Sequence, residues 1–171
     1  MQNYFELFDL ETSFFVDDEA LKSAYQAQVT RFHPDNFATK SQAEQLQALQ
    51  NTSLVNSAYT ALKTPLNRAS YLLNLEDVNP FDEKDTNMDA NFLVSQIELR
   101  EQLEGIKEQQ DNLALDDFIV RVQDFIRDNV ASISEAFTQL RNLQEIKTLV
   151  RELKFYEQLN KEANILMDEW L

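Results

Sequence analysis

A chain of 171 residues with a single glycine and 3 prolines has almost nothing with which to break a helix. Loop-rich and all-β folds use these residues at turn after turn, so neither is open to it. Leu, Gln, Glu and Ala fill the long stretches between the prolines, and they favour helix. The expected fold class is all-α. Hydrophobic residues make up 43% of the chain, enough for a buried core, and the length allows one domain or two small ones.

Caps and helical spacing divide the chain. A short first helix is expected over 3–8, anchored by Tyr4, Phe5, Leu7 and Phe8. Asp17 is a good N-cap, and Asp18 and Glu19 suit the positive end of a helix dipole. A helix over about 18–32 then carries Leu21, Tyr25, Val29 and Phe32 at helical spacing. Pro34 ends it, because the residue before a proline is biased out of the helical region. Ser41 with Glu44 makes a capping box that opens a helix to about residue 63. Leu46, Leu49, Val55, Ala58, Tyr59 and Leu62 are expected to face inward from it. Pro65 starts a short helix to residue 75, at the tolerated first turn.

Periodicity vanishes over 76–88, where Asp, Asn and Pro80 dominate, so this segment is expected to link two domains, 1–75 and 89–171. Helical patterns follow over about 89–110, 116–133 and 134–171, with a break near Ser134. Short connections favour an antiparallel three-helix bundle.

The net charge of -15 argues against nucleic acid, whose phosphates need Lys and Arg clusters, and against an anionic membrane surface. Residues 1–76 hold 9 acidic and 5 basic groups, and residues 77–171 hold 21 and 10. Cysteine is absent, so thiolate catalysis, thiolate metal sites and thiolate-held iron–sulfur clusters are impossible. The absence fits a cytoplasmic protein. No signal peptide is evident in the first ten residues, and no apolar run is long enough to span a bilayer.

The one histidine, His33, lies in His33-Pro34-Asp35 between two helices. Alone, the tripeptide reads as an ordinary turn. It is followed, at the end of the next helix, by Ala58-Tyr59-x-x-Leu62-x-x-Pro65-x-x-Arg68-Ala69-x-Tyr71. The tripeptide and this second pattern together resemble the J-domain, over residues 1 to about 75. The resemblance implies that Asp35 meets an arginine of a DnaK-type chaperone, a charged hydrogen bond worth about 1.5–3 kcal/mol. Lys22, Tyr25 and Arg31 on the preceding helix are further candidate chaperone contacts. Tyr25 is open between core anchor and partner contact. Two departures stand out. Asn36 follows the tripeptide where most J-domains carry lysine or arginine, and the preceding helix is weakly basic. Less positive charge weakens steering toward a general DnaK and favours a dedicated partner.

The chain has neither a Gly/Phe-rich linker nor a Cys-rich region. A J-domain followed by an acidic helical bundle resembles the HscB family of iron–sulfur co-chaperones. Phe92-Leu-Val-Ser-Gln-Ile-Glu-Leu-Arg-Glu-Gln-Leu103 and Arg151-Glu-Leu-Lys-Phe-Tyr-Glu-Gln-Leu159 are similar to that family's first and last bundle helices. With Phe92 at zero and about 100° per residue, Leu99, Leu103 and Ile106 return to the same seam. Leu93, Ile97 and Val94 fall near 100°, 140° and 200°, a second apolar patch. Ile146, Val150 and Leu153 share one stripe of the last helix, and Phe155 lies about 180° from Ile146, on an outward face. These residues either meet a partner, pack against the other domain, or widen the core.

The family resemblance implies that Leu93, Val94, Ile97 and Phe155, rimmed by Glu98, Arg100 and Glu101, bind the scaffold protein IscU. The chaperone so implied is HscA. Val94 departs from a commoner methionine. No cofactor or metal is expected. An enzyme would have to use His33, and no histidine lies in the bundle. An inert helical adaptor, or a J-domain co-chaperone for another client, remains open.

Overall fold

The computed structural model describes residues 3–171. Among them are seven α-helices, one 3-10 turn and no strand. The chain divides into two compact units, one up to Leu75 and one from Glu76 to Leu171.

In the first unit, α1 (Tyr4–Leu7) is closed by a capping box in which Asn3 and Glu6 exchange bonds. Asp17 caps α2 (Asp18–Arg31) by accepting from the Glu19 and Ala20 amides. Ser41 and Glu44 form the expected box at the start of α3 (Gln42–Leu62). The Ser41 hydroxyl and amide hold the Glu44 carboxyl below its usual range. α4 (Pro65–Leu75) follows at once. Phe5, Phe8, Leu21, Val55, Ala58 and Leu62 form the core that locks α2 against α3. Burying the Phe, Leu and Val side chains among them contributes about 1.5–3 kcal/mol each.

Leu46 and Leu49 do not face inward: both are exposed, and Ala48 is buried in their place. The cause is length. α3 has 21 residues against 14 in α2, so about 10 Å of α3 runs past the end of α2, where the short 3-10 turn at 34–37 packs beside it in place of a full helix.

The second unit has α5 (Ala90–Gln109), α6 (Asn112–Thr138) and α7 (Leu143–Trp170). α5 ends on Gln110 in the left-handed region at φ 51°, and Asp111 caps α6 immediately, so that α6 begins at Asn112, four residues before the expected start at 116. The expected break at Ser134 is also misplaced. α6 runs on to Thr138, Leu140 turns the chain at φ 50°, and Asn142 caps α7. The cap was the usable signal, since no glycine marks the turn. Phe92, Leu99, Leu103, Phe118, Val122, Leu159 and Ala163 lie in the bundle core, and Ile133, Ile146, Val150 and Leu153 are buried along the rest of α6 and α7.

Residues 76–88 are not a free tether. Pro80 is buried, and Asp85 pairs with Lys147 and Arg151 of α7. The guanidinium of Arg151 also donates to the carbonyls of Asp85 and Asn87, at 3.0 and 3.2 Å. A stretch without periodicity is thus strapped to the second unit by charge.

Candidate functional site

The first site is the corner between α2 and α3. After Arg31 the Phe32 amide still donates to the Gln28 carbonyl, and His33 then turns extended, at φ -57° and ψ 136°. Pro34 fixes its own φ and opens a 3-10 turn, Pro34–Phe37. The Asp35 amide donates to His33 Nδ1 at 3.3 Å. The Asn36 side-chain amide donates to the Thr30 carbonyl at 2.8 Å, and the Thr52 hydroxyl of α3 reaches the Phe32 carbonyl at 3.4 Å. Asn36 therefore caps the end of α2, a local reason for an amide at that position. These bonds fix the backbone and leave both polar side chains open to solvent, with His33 Nδ1 3.6 Å from the Asp35 carboxylate. The Asp35 side chain is 91% exposed and that of His33 54%.

The supporting residues explain the longer motif. Ala58, Leu62 and Ala69 are buried. The Tyr71 hydroxyl accepts from the Tyr4 amide at 2.9 Å while the two rings stack. Arg68 is a buried cation. It donates to the Leu62 and Phe14 carbonyls, both at 3.0 Å, and faces Asp18 at 3.5 Å and the Phe14 ring at 5.6 Å. Burial lowers its pKa and Asp18 opposes that shift.

Tyr25 stacks on Tyr59 with centroids 4.1 Å apart and donates to Asn56 at 2.7 Å, so it braces the hairpin. Lys22 and Arg31 are both exposed, but nine residues apart they stand on opposite edges of α2's outer face, with Gln26, Ala27 and Thr30 between. Beside the corner, Phe32, Pro34, Phe37, Ala48 and the overhanging Leu46 and Leu49 line an open cavity of about 550 Å³.

The second site lies on α5. Leu93, Val94 and Ile97 are 41%, 54% and 59% exposed, while Phe92, Leu99 and Leu103 point into the core. Glu98 and Glu101 are exposed beside them. Arg100 is tied down, donating to Glu162 at 3.1 Å with its guanidinium 5.4 Å from the Phe155 ring.

Phe155 is a correction. It is only 8% exposed, edge-on to Phe92 at 5.7 Å. α7 packs against α5 as well as α6, so a residue opposite the α6 seam can still be buried. Phe155 lies at the floor of an open cleft of about 460 Å³ walled by Leu93 and Gln96 of α5 and by Phe81 and Met88 of the strap. Phe81 and Asp85 escaped sequence reasoning because their cation partners on α7 lie more than 60 residues away.

Comparison with known proteins decides the family to which the chain belongs. Residues 88–164 match the family described as the HSCB C-terminal oligomerisation domain. The co-chaperone protein HscB homolog of Vibrio campbellii is 38% identical over 170 residues, covering 99% of each chain. The chain belongs to the HscB family.

The solved HscB chaperone of Vibrio cholerae superposes with a TM-score of 0.88 at 38% identity, covering 99% of this chain and 100% of that one. Human co-chaperone HscB gives 0.89 at 28% identity, over 96% and 82%. HscB homologues are co-chaperones and not enzymes, and a co-chaperone of this kind implies an Hsp70-type chaperone as partner. The resemblance read from the tripeptide and from the bundle helices is thereby established for the whole chain. Among the described residues no group of three or more His, Cys, Asp or Glu side chains could hold a metal ion, and no helix is long and apolar enough to cross a membrane.

Proposed function

We propose that this HscB-family chain stimulates ATP hydrolysis by a dedicated chaperone, HscA, and delivers to it the iron–sulfur scaffold protein IscU. The observation that carries the reading is the corner at 33–35. A carboxylate almost fully open to solvent stands on a backbone fixed by Pro34, by the His33 Nδ1 bond and by the Asn36 cap. Such a group gives up little conformational entropy when it meets a guanidinium. The new bond biases the chaperone between its own two states, so no reaction occurs on this chain.

Leu93, Val94 and Ile97 support the delivery half. Three large apolar side chains left in water on one helix face, with Glu98 and Glu101 at the rim, suit a partner with an apolar patch and basic flanks. Phe155 serves this site from beneath. A cytoplasmic setting accords with a chain that has no cysteine. The reading is tested by calorimetric titration of IscU into Ile97→Ala. Affinity should fall by about 1–3 kcal/mol with the helical content intact. Wild-type affinity in that variant and in Leu93→Ala would remove α5 from the client site.

A further inference from the structure

The strap over 80–88 is held more firmly than its sequence requires. A polar, aperiodic segment of this kind usually follows the surface with few fixed contacts. Here the Asp85 carboxylate meets both Lys147 and Arg151, two half-buried cations one turn apart on α7. Arg151 then grips the strap's backbone at the Asp85 and Asn87 carbonyls. One turn further along α7, the Lys154 ammonium sits 4.1 Å from the centre of the Phe81 ring. Successive cations of a single helix face thus bind one carboxylate, two carbonyls and one aromatic ring. Bonding to Lys147 and to the Asn87 amide keeps the Asp85 carboxyl below its usual range.

The result is a wall. Phe81 and Met88 rise on the strap side of the cleft floored by Phe155, and Leu93 rises on the α5 side. Lys147 and Arg151 are taken up by Asp85, while Asp82, Glu83 and the Lys154 ammonium line the cleft as exposed charges, and Lys84, also exposed, lies outside its lining. We infer that the client surface extends beyond α5 into this cleft. It takes an apolar side chain of the scaffold partner between Phe81, Met88, Leu93 and Phe155, and Asp85 is the positioning residue that keeps the strap wall standing. The inference rests on the client reading of α5, with which the cleft shares Leu93 and Phe155. It adds residues that the exposed patch does not contain.

The test uses the full chain and IscU. Phe81→Ala should weaken binding about tenfold, the loss of one apolar contact of roughly 1.4 kcal/mol. Asp85→Asn should weaken it about fivefold and speed hydrogen exchange at the strap amides without changing exchange in α5. In the double variant the two losses should not multiply, because Phe81 contributes only while the strap is pinned. A merely structural Asp85 would give multiplying losses, and that result would overturn the positioning role. Wild-type affinity in Phe81→Ala, alongside weakened binding in Ile97→Ala, would overturn the cleft while sparing the α5 reading. Wild-type affinity in all of these variants would remove both.

Discussion

The two units expose their working residues in opposite ways. In the first, the groups on show are polar and the backbone beneath them is fixed by local hydrogen bonds: His33 Nδ1 to the Asp35 amide, Asn36 to Thr30, Thr52 to Phe32. In the second, the groups on show are apolar, and their order comes from helix phase and from packing underneath, Phe92 against Phe155. A short exposed polar motif has to be held by its own neighbours in sequence, so it can be recognised there. An apolar patch is held by whatever packs behind it, and that is decided by residues far along the chain.

This contrast can be broken from either side. The largest expected effect is at Phe155. Its truncation to alanine removes a buried ring, so the second unit should lose about 3–5 kcal/mol, read by urea denaturation followed through helicity, in addition to weaker scaffold binding. An exposed hot spot would lose binding alone. Stability within about 0.5 kcal/mol of wild type, the range of an ordinary surface change, would refute its burial.

Arg68→Ala comes next. It deletes two charged hydrogen bonds to carbonyls, each worth about 1.5–3 kcal/mol. The first unit should therefore melt well below the second, and chaperone stimulation should be lost while IscU affinity persists. Concerted unfolding of both units at one lower temperature would show that they are not energetically separate.

A smaller effect belongs to Glu152, whose carboxyl is pushed up by burial, with Asp89 adding to the shift. A raised value means the folded state favours the protonated form. The contribution to stability is full below the unfolded value of about 4.3 and is lost as pH rises through the higher folded value. At neutral pH the buried charge is a cost. Asn129 beside it donates to Glu152 at 3.3 Å but leaves its own buried Oδ1 without a partner. Glu152→Gln removes the charge and supplies a donor. Thermal denaturation at pH 7 should show about 1 kcal/mol of added stability, vanishing on acidification below pH 4. A gain independent of pH would exclude the charge as the cause.

Much of this was legible in the sequence. Asp17, Ser41 and Glu44 announced helix starts through local chemistry, and the period of Leu99, Leu103 and Ile106 gave the seam of α5. What was illegible needed a third partner. The inward reading of Leu46 and Leu49 ignored that α2 stops short of them. The outward reading of Phe155 counted one neighbouring helix where there are two. Asp85 gave no signal at all, because its cations lie 62 and 66 residues away and a lone aspartate between polar residues looks like any loop.

The measurement that bears most directly on the account is steady-state ATP hydrolysis by HscA in the presence of saturating Asp35→Ala, with circular dichroism confirming an unchanged fold. The side chain is so exposed that its removal should leave stability within about 0.5 kcal/mol of wild type. Hydrolysis should fall to the unstimulated rate even though IscU still binds. Full stimulation by that folded variant would contradict the assignment of the exposed corner as the switch.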